Sequence, residues 1–421
     1  MRVKATMTLL VQFSLWIVCL SPFLPAQTGR RLWVLGETGD VTEYDPATFA
    51  PVHSMKVPDE ALKNPHTLAI SSKGQMLVNL DESSADGKAW LWTGRTAMSI
   101  SRGVMRDTTP AHGNISELEA VPQCVLSADA RRIYWFEDQF TEVKQADGKA
   151  DVSIKTAFLA WQIDLETGGR VQVANSPLAP CKCGTGSCSE TCPKVNYWIP
   201  EGGVDDFFVA TNWVPGKLGA TYQSSYLYRK TGNKWSSHAL PEIMERVQDA
   251  AQSGAIIVYS ILDTACCGWQ NESDDQTLLM RNGKTIALFD ERARYQNLDY
   301  DVSFFTSNAR LSPDAASVAM TISSSAQPGT EIRLSEQGQT NARELASIHQ
   351  AIPDLPAVEV LRLGEPPKRS ALIPHATLVG WLSEKEILAI ENGALIAIDV
   401  ATGTQRDSRL KVANESRVFI R

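Results

Sequence analysis

Two short strand–turn–strand phrases alternate along this 421-residue chain, and that alternation restricts the folds open to it more than any other feature. The first phrase is an apolar strand, a polar turn that contains serine, and a second apolar strand. Apolar residues on both sides of a tight polar turn predict a β-hairpin. The copies are TLAISSKGQMLVNL (67–80), QCVLSADARRIYWF (123–136), ARLSPDAASVAMTI (309–322) and the looser LVGWLSEKEILAI (378–390).

The second phrase lies between copies of the first and has a turn of the D-x-x-T-G type. Glycine at the end of such a turn permits the positive φ that tight hairpins need. Because the two hairpin types alternate, each repeating unit is predicted to hold four strands. The copies are found at 31–55, 157–174 and 393–410, with shorter relatives at 226–240 and 277–290.

Two further apolar segments, 197–212 and 253–262, fit the gaps as hairpins, which gives units of about 45–75 residues. The sequence therefore predicts an all-β fold: one β-propeller over residues 30–421, with six to seven four-stranded blades and seven preferred. The first hairpin, 31–55, is expected to pair with a C-terminal strand at 416–421 and close the ring. Helical apolar spacing predicts two short helices, at 240–252 and 344–352.

Two copies of the first phrase also carry a family resemblance. LSPDAASVAM (311–320) and VLSADARRIYWF (125–136) resemble the SPDG-type phrase of TolB-like, WD-repeat-like β-propellers of exported, bacterial type. Ala315 and Ala130 replace the turn glycine of that pattern. The resemblance implies a propeller, a fold that hosts binding proteins, scaffolds and enzymes alike.

The N-terminus has the layout of a secretory signal peptide over residues 1–26. Arg2 and Lys4 precede an apolar run at 9–20, prolines follow, and Ala26 supplies a small residue at the cut. The alternative is an uncleaved anchor, but the run is shorter than the roughly 18 residues that a spanning helix needs, which favours a cleaved signal peptide. The predicted location is periplasmic or secreted, with no membrane span after cleavage.

The net charge is −8, and the sequence has no basic stripe of the kind that neutralises phosphates. We therefore predict no nucleic-acid partner. The hydrophobic fraction of 43% is enough for a full core.

Six cysteines fall in two predicted loop insertions, 176–196 and 263–276, while Cys124 is predicted to lie buried in a strand. In an oxidising compartment such a cluster favours disulfides that staple two loops on one rim of the ring. A zinc or copper thiolate site and a redox centre are the alternatives. The spacing matches no common zinc knuckle, and no C-x-x-C occurs. The candidates are Cys181, Cys183, Cys188, Cys192, Cys266 and Cys267.

Aromatic and acidic residues near these insertions are the candidate ligand-binding set, since exposed aromatic side chains are typical of binding surfaces. The alternative is that the tryptophans fill blade interfaces. The binding candidates are Trp269, Asn271, Asp274, Asp275, Trp198 and Trp213. Weaker candidates for a hard cation such as calcium, against the alternative of a solvated turn, are Asp205, Asp206, Glu272 and Asp274.

No catalytic motif is found: no G-x-S-x-G, no phosphate loop and no H-E-x-x-H. The sequence therefore predicts an exported propeller that binds or scaffolds an unknown protein or small ligand. The alternatives are a propeller enzyme (a hydrolase, lyase or dehydrogenase) with its active site at the channel mouth, and a metal-binding protein that uses the cysteine loops. No cofactor is predicted, with calcium or zinc as the alternative.

Overall fold

A computed structural model describes the chain from residue 30 to residue 420 with gaps, and its strands belong to one compact unit, Arg31–Arg421. The described residues are 30–36, 38–56, 65–70, 76–80, 88–92, 97–101, 123–127, 131–144, 151–164, 166–167, 169–177, 194–198, 206–216, 219–261, 276–290, 304–324, 355–412 and 418–420.

The described strands form seven four-stranded antiparallel sheets, and the molecule is an all-β propeller in which each of these sheets is one blade. Below, the strands of each sheet are given from the innermost to the outermost. The first sheet is β28 (Val418–Ile420), β1 (Leu32–Leu35), β2 (Asp40–Tyr44) and β3 (Pro51–Lys56); the second is β4 (Pro65–Ile70), β5 (Met76–Leu80), β6 (Lys88–Trp92) and β7 (Ala97–Ser101); the third is β8 (Gln123–Leu126), β9 (Arg132–Lys144), β10 (Asp151–Asp164) and β11 (Arg170–Pro177); the fourth is β12 (Lys194–Trp198), β13 (Phe207–Gly216), β14 (Gly219–Thr231) and β15 (Lys234–Ala239). The fifth is β16 (Arg246–Ala251), β17 (Ile256–Ile261), β18 (Gln276–Arg281) and β19 (Lys284–Asp290); the sixth is β20 (Phe304–Leu311), β21 (Ser317–Ser324), β22 (Ala357–Arg362) and β23 (Lys368–Pro374); the seventh is β24 (Ala376–Trp381), β25 (Glu386–Glu391), β26 (Ala394–Asp399) and β27 (Gln405–Lys411).

The two hairpin phrases occupy different radial positions in these sheets. The first phrase forms the two inner strands, as β20 and β21 show, and the second phrase forms the two outer strands, as β26 and β27 show. The alternation in the sequence is therefore the alternation of inner and outer strand pairs.

The ring closes where the sequence predicted. β28 pairs antiparallel with β1, with Leu32 opposite Ile420 and Val34 opposite Val418. The first sheet thus combines strands from the two ends of the ring-forming sequence. Inner strands of successive sheets lie against each other, as in the series β12, β16, β20, β24 and β28.

The helix predicted at 240–252 is wrong. Residues Arg246–Ala251 form β16, the innermost strand of the fifth sheet, and only a single 3₁₀ turn, Gln252–Gly254, follows it. The hairpin predicted at 253–262 is also wrong, because that segment contributes one strand, β17, whose partner is β16. The helix predicted at 344–352 lies outside the described residues.

The core lies between neighbouring sheets. Between the fifth and sixth sheets, Val258, Phe289, Phe304 and Met320 are each at least 98% buried and belong to one apolar cluster. Burying apolar surface contributes roughly 25 cal/mol per Å², so these joints hold the ring together. In the described part of the chain, no helix has both the length and the apolar character needed to cross a membrane.

Candidate binding face

The ring has two faces that differ in how the chain crosses them. We call the face where the innermost strands begin the upper face; Lys194, Arg246, Phe304 and Ala376 mark it. Strands alternate in direction within each sheet, so connections from a second to a third strand also lie at the upper face, as do connections between successive sheets. All other turns lie at the opposite, lower face.

The long connections are all attached at the upper face. Among the described strands, those separated by 13 residues or more are linked there, whereas the lower-face connections span eight residues or fewer. Long connections on a rigid scaffold are where binding residues concentrate. The long upper-face connections are 102–122, 178–193, 262–275, 291–303 and 325–356.

Two β-ribbons also extend from the upper face. In the third sheet, β8 pairs with β9 only as far as Phe136, but β9 and β10 continue to pair up to Lys144 and Asp151. In the fourth sheet, β13 and β14 continue past the last β12 pair, Lys194 with Trp213. Because β11 pairs with β10 as far as Ala157, the two-stranded part is 140–144 with 151–155, which at about 3.3 Å per residue extends roughly 17 Å beyond the blade.

The six clustered cysteines lie outside the described residues, but the strand ends that flank them are described. Pro177 and Lys194 flank the first group, and Ile261 and Gln276 flank the second. All four strand ends are at the upper face, in the third, fourth and fifth sheets. Cys124 lies in β8, opposite Trp135, as the strand prediction required.

The structure separates the two described tryptophan candidates. Trp213 is in the upper part of β13, but Trp198 is the last residue of β12 and lies at the lower end of the same sheet. Trp198 is half-buried, and its ring centroid is 5.8 Å from that of Phe207, so it packs within a blade joint. Trp269, Asn271, Asp274 and Asp275 lie outside the described residues.

Asp206, a candidate cation ligand, lies at the lower face just before β13. Its carboxylate accepts a hydrogen bond of 2.5 Å from the Ser253 hydroxyl, in the 3₁₀ turn of the next sheet. The Arg229 guanidinium donates to the carbonyl of the same serine at 2.5 Å. Asp206 therefore joins the fourth sheet to the fifth. Asp205 and Glu272 lie outside the described residues, and those that are described contain no group of three His, Cys, Asp or Glu side chains arranged to hold a metal.

Three turns at the lower face share one hydrogen-bond pattern, at Asp45, Asp164 and Asp399 between the third and fourth strands of their sheets. The Asp399 carboxylate accepts the N–H of Ala401 at 3.0 Å, the N–H of Thr402 at 2.8 Å and the Thr402 hydroxyl at 2.9 Å. These are the D-x-x-T turns of the second phrase, held by aspartate as a local acceptor.

The same hydrogen bonds set the charge state of these aspartates. The N–H and hydroxyl of the threonine three residues on, together with the N–H two residues on, lower the pKa of Asp45, Asp164 and Asp399. Nearby cationic side chains lower these pKa values further; Arg406 does so for Asp45. The carboxylates act as turn-forming groups and remain ionised well into acid conditions.

Turns of the first phrase are held by serine. The Ser312 hydroxyl donates to the Asp314 carboxylate at 2.6 Å and accepts the N–H of Ser317 at 2.9 Å. Ala315 stands at the position of the family's turn glycine and has φ = 55°, in the left-handed region. An arginine from the preceding sheet, Arg281, donates to the Ala315 carbonyl at 3.0 Å. Described turns of the lower face are thus short, and the 312–316 turn is cross-linked to the preceding sheet.

Polar side chains of β16 bond to the inner strand of the next sheet. The Gln248 side chain accepts the N–H of Ala309 at 2.7 Å, and the Asp249 carboxylate accepts the N–H of Leu311 at 2.7 Å. Arg310 donates back to the Gln248 carbonyl at 2.6 Å. The Asp249 carboxylate thus has a structural use in joining two blades.

A buried chain of hydroxyl groups strengthens the same joint. Thr277 is fully buried; its hydroxyl shares one hydrogen bond with Thr306 of the sixth sheet and another, at 3.3 Å, with Ser260. The Gln248 side chain donates to Ser260 and completes the chain. In the next joint, Thr321 accepts the N–H of Leu378 at 2.9 Å. Sequence reasoning missed these groups because isolated Ser and Thr residues in strands carry no pattern.

No family model and no curated protein matches the chain. Solved structures with some similarity include an acylaminoacyl peptidase in complex with Z-Gly-Gly-Phe-chloromethyl ketone, at 12% identity and a TM-score of 0.43 over 88% of this chain and 48% of that one. Others are apo AztD from Citrobacter koseri (9%, 0.38, 90% and 94%) and the dihydro-heme d1 dehydrogenase NirN in complex with DHE (10%, 0.36, 90% and 72%). The chain spans about half the length of the peptidase. At these TM-scores the similarities say nothing about what this chain binds or catalyses.

Proposed function

We propose that this protein is an exported β-propeller binding protein that recognises a protein or small ligand at its upper face. One observation carries the proposal: the long connections between described strands all attach at that face, while the lower-face connections are short and the described turns among them are hydrogen-bonded. A scaffold with one regular face and one elaborated face is suited to present residues for recognition.

We further propose that disulfides staple the two cysteine-bearing connections. The support is topological: the strand ends that flank 178–193 and 262–275 share one face and belong to neighbouring sheets. Three bridges would each contribute about 2–4 kcal/mol by restricting the unfolded connections. The oxidant is the thiol–disulfide exchange system of an exporting compartment, which takes up two electrons and two protons per bridge.

The staple is tested by counting free thiols in the denatured, unreduced protein. One free thiol per mature chain is expected, that of Cys124. Seven free thiols with stoichiometric zinc or copper would overturn the disulfide proposal in favour of a metal-binding protein.

The binding face is tested by site-specific photo-crosslinking in an extract of the exported compartment. A photo-reactive residue replaces Thr38 or Ile243, both exposed at the upper face, or, as matched controls, Lys234 or Ala401, both exposed at the lower face. Ile243 is 41% exposed, so a residue placed there is accessible to a partner. Adducts are expected from the upper-face positions alone.

Equal labelling from both faces would contradict the assignment of the binding face. An enzyme would be indicated instead if the purified protein turned over ester, peptide or glycoside substrates.

A further inference from the structure

The joint between the seventh and first sheets is built differently from the others. Each of the other six inner strands continues into its neighbour in the same sheet through a connection of eight residues or fewer, but β28 pairs with β1 without a connecting turn. Among the described residues, three residue pairs make that contact. Separating β28 from β1 therefore breaks no turn and releases chain entropy.

In the described part of this joint, the Arg406 guanidinium reaches from one sheet to the other. Arg406, on β27 of the seventh sheet, donates to the carbonyls of Pro46 and Ala47 at 3.0 and 2.7 Å, in the turn between β2 and β3. Its guanidinium carbon lies 4.5 Å from the centre of the Phe49 ring. Its other end donates to the Glu386 carboxylate at 2.7 Å. We call this set of contacts the Arg406 clasp.

The clasp is partly open to solvent. The Arg406 and Glu386 side chains are 35% and 28% exposed, so dissolved ions screen their attraction. The joint between the fifth and sixth sheets also has part-buried charged contacts, at Asp249 and Arg310. It is held in addition by the buried, neutral groups of Gln248, Thr277 and Thr306. Salt has little direct effect on hydrogen bonds between buried neutral groups.

We propose that the ring opens at the joint between the seventh and first sheets, called the seam below, before any other part of the ring unfolds. Salt promotes this opening because it weakens the Arg406 clasp. The opening separates β1, β2 and β3 from β28 and from the seventh sheet, and leaves the fourth to seventh sheets folded. The seam consists of strand pairing and of contacts to the lower-face turn at 45–50. Its opening therefore requires no particular ligand at the upper face.

Hydrogen exchange of the intact protein, read by mass spectrometry at about 0.05 and about 0.5 M salt, tests the seam. The comparison is between β1 and β25, the second strands of adjacent sheets, whose central residues are buried in both. The expected result is roughly tenfold faster exchange in β1 than in β25, and a rise with salt in β1 alone.

Arg406→Ala should speed exchange in β1 by about tenfold and remove its salt dependence. The matched control is Arg369→Ala, which breaks an ion pair of 2.6 Å with Glu359 inside the sixth sheet and should leave β1 unchanged. Arg406→Lys keeps the charge but loses the forked geometry, so an intermediate effect is expected.

Exchange in β1 no faster than in β25 would overturn the seam, as would salt accelerating both strands equally. Identical effects of Arg406→Ala and Arg369→Ala on β1 would overturn the role of the clasp. If Arg406→Ala does not fold, the salt series on the natural protein and the Arg406→Lys variant still decide between these outcomes.

Discussion

At the scale of single residues, Asp399 links a local turn to the acid stability of the protein. Its pKa is lowered mainly by the N–H and hydroxyl of Thr402. A group with a lowered folded-state pKa stabilises the fold fully above its unfolded pKa, about 3.9, and that contribution is lost as pH falls through the folded pKa. Asp399→Asn should therefore lower the free energy of unfolding at neutral pH. Below about pH 4, the free energy of unfolding of this variant should fall less steeply with pH than that of the natural protein.

Urea midpoints measured from about pH 7 to below pH 3 check this expectation. The natural protein and Asp399→Asn should converge at the lowest pH, and Asp164→Asn should repeat the pattern in the third sheet because its turn has the same bonds. A stability gap that widens as the pH falls would show that the carboxylate charge is not what the turn uses.

Ala315 has a backbone conformation that glycine adopts more readily than alanine. It has φ = 55° and is 2% exposed. A left-handed backbone conformation costs an L-residue roughly 1–2 kcal/mol, and glycine removes this cost. Against this, loss of the buried methyl group costs about 0.8 kcal/mol, and glycine also raises the conformational entropy of the unfolded chain, which lowers stability. Ala315→Gly should therefore change the unfolding free energy by less than about 1 kcal/mol in urea titrations. Ala315→Val, branched and without room, should lose more than about 2 kcal/mol; similar losses for both would contradict the strain argument.

At the scale of elements, the hairpins were predictable because apolar strand segments lie on both sides of short polar turns. β16 was not, because polar residues interrupt its apolar pattern, and two of them, Gln248 and Asp249, have side chains that accept hydrogen bonds from the next sheet. The residues of this segment have helical propensity, but their tertiary contacts place them in a strand. The first long ribbon left one readable signal, the Asp147-Gly148 pair between β9 and β10, which is typical of a tight hairpin turn.

The buried hydroxyl chain gives a prediction for the joint between the fifth and sixth sheets. Thr277→Val keeps the shape but leaves Thr306 and Ser260 without that hydroxyl, so a loss of about 1–3 kcal/mol in unfolding free energy is expected from urea titration. Thr231→Val, at the exposed end of β14, is the control and should stay within about 0.5 kcal/mol. Equal effects of the two substitutions would mean that the joint is held by apolar packing alone.

At the scale of the whole molecule, counting hairpins predicts which connections share a face, because every pair of antiparallel strands returns the chain to its starting side. That reasoning placed the strand ends around both cysteine groups on one face. Trp198 was grouped with the upper-face candidates because it follows the first cysteine group in the sequence. It is the last residue of an inner strand, however, and such residues lie at the lower face. The ligand itself was not predictable, because recognition depends on how the connections meet in space and not on strand periodicity.

Ring closure is a property of the whole chain, and Ile420 tests it. Its side chain is 8% exposed and packs between the first and seventh sheets, with its Cδ1 only 3.2 Å from where a Cβ on Gly380 would lie. Ile420→Ala should lower the unfolding free energy by about 2–4 kcal/mol, because the cavity opens where the ring has no covalent turn. Val52→Ala on β3, where the side chain is 62% exposed, is the control and should cost less than about 0.5 kcal/mol. If urea midpoints moved equally little for both, β28 would not be the strand that closes the ring.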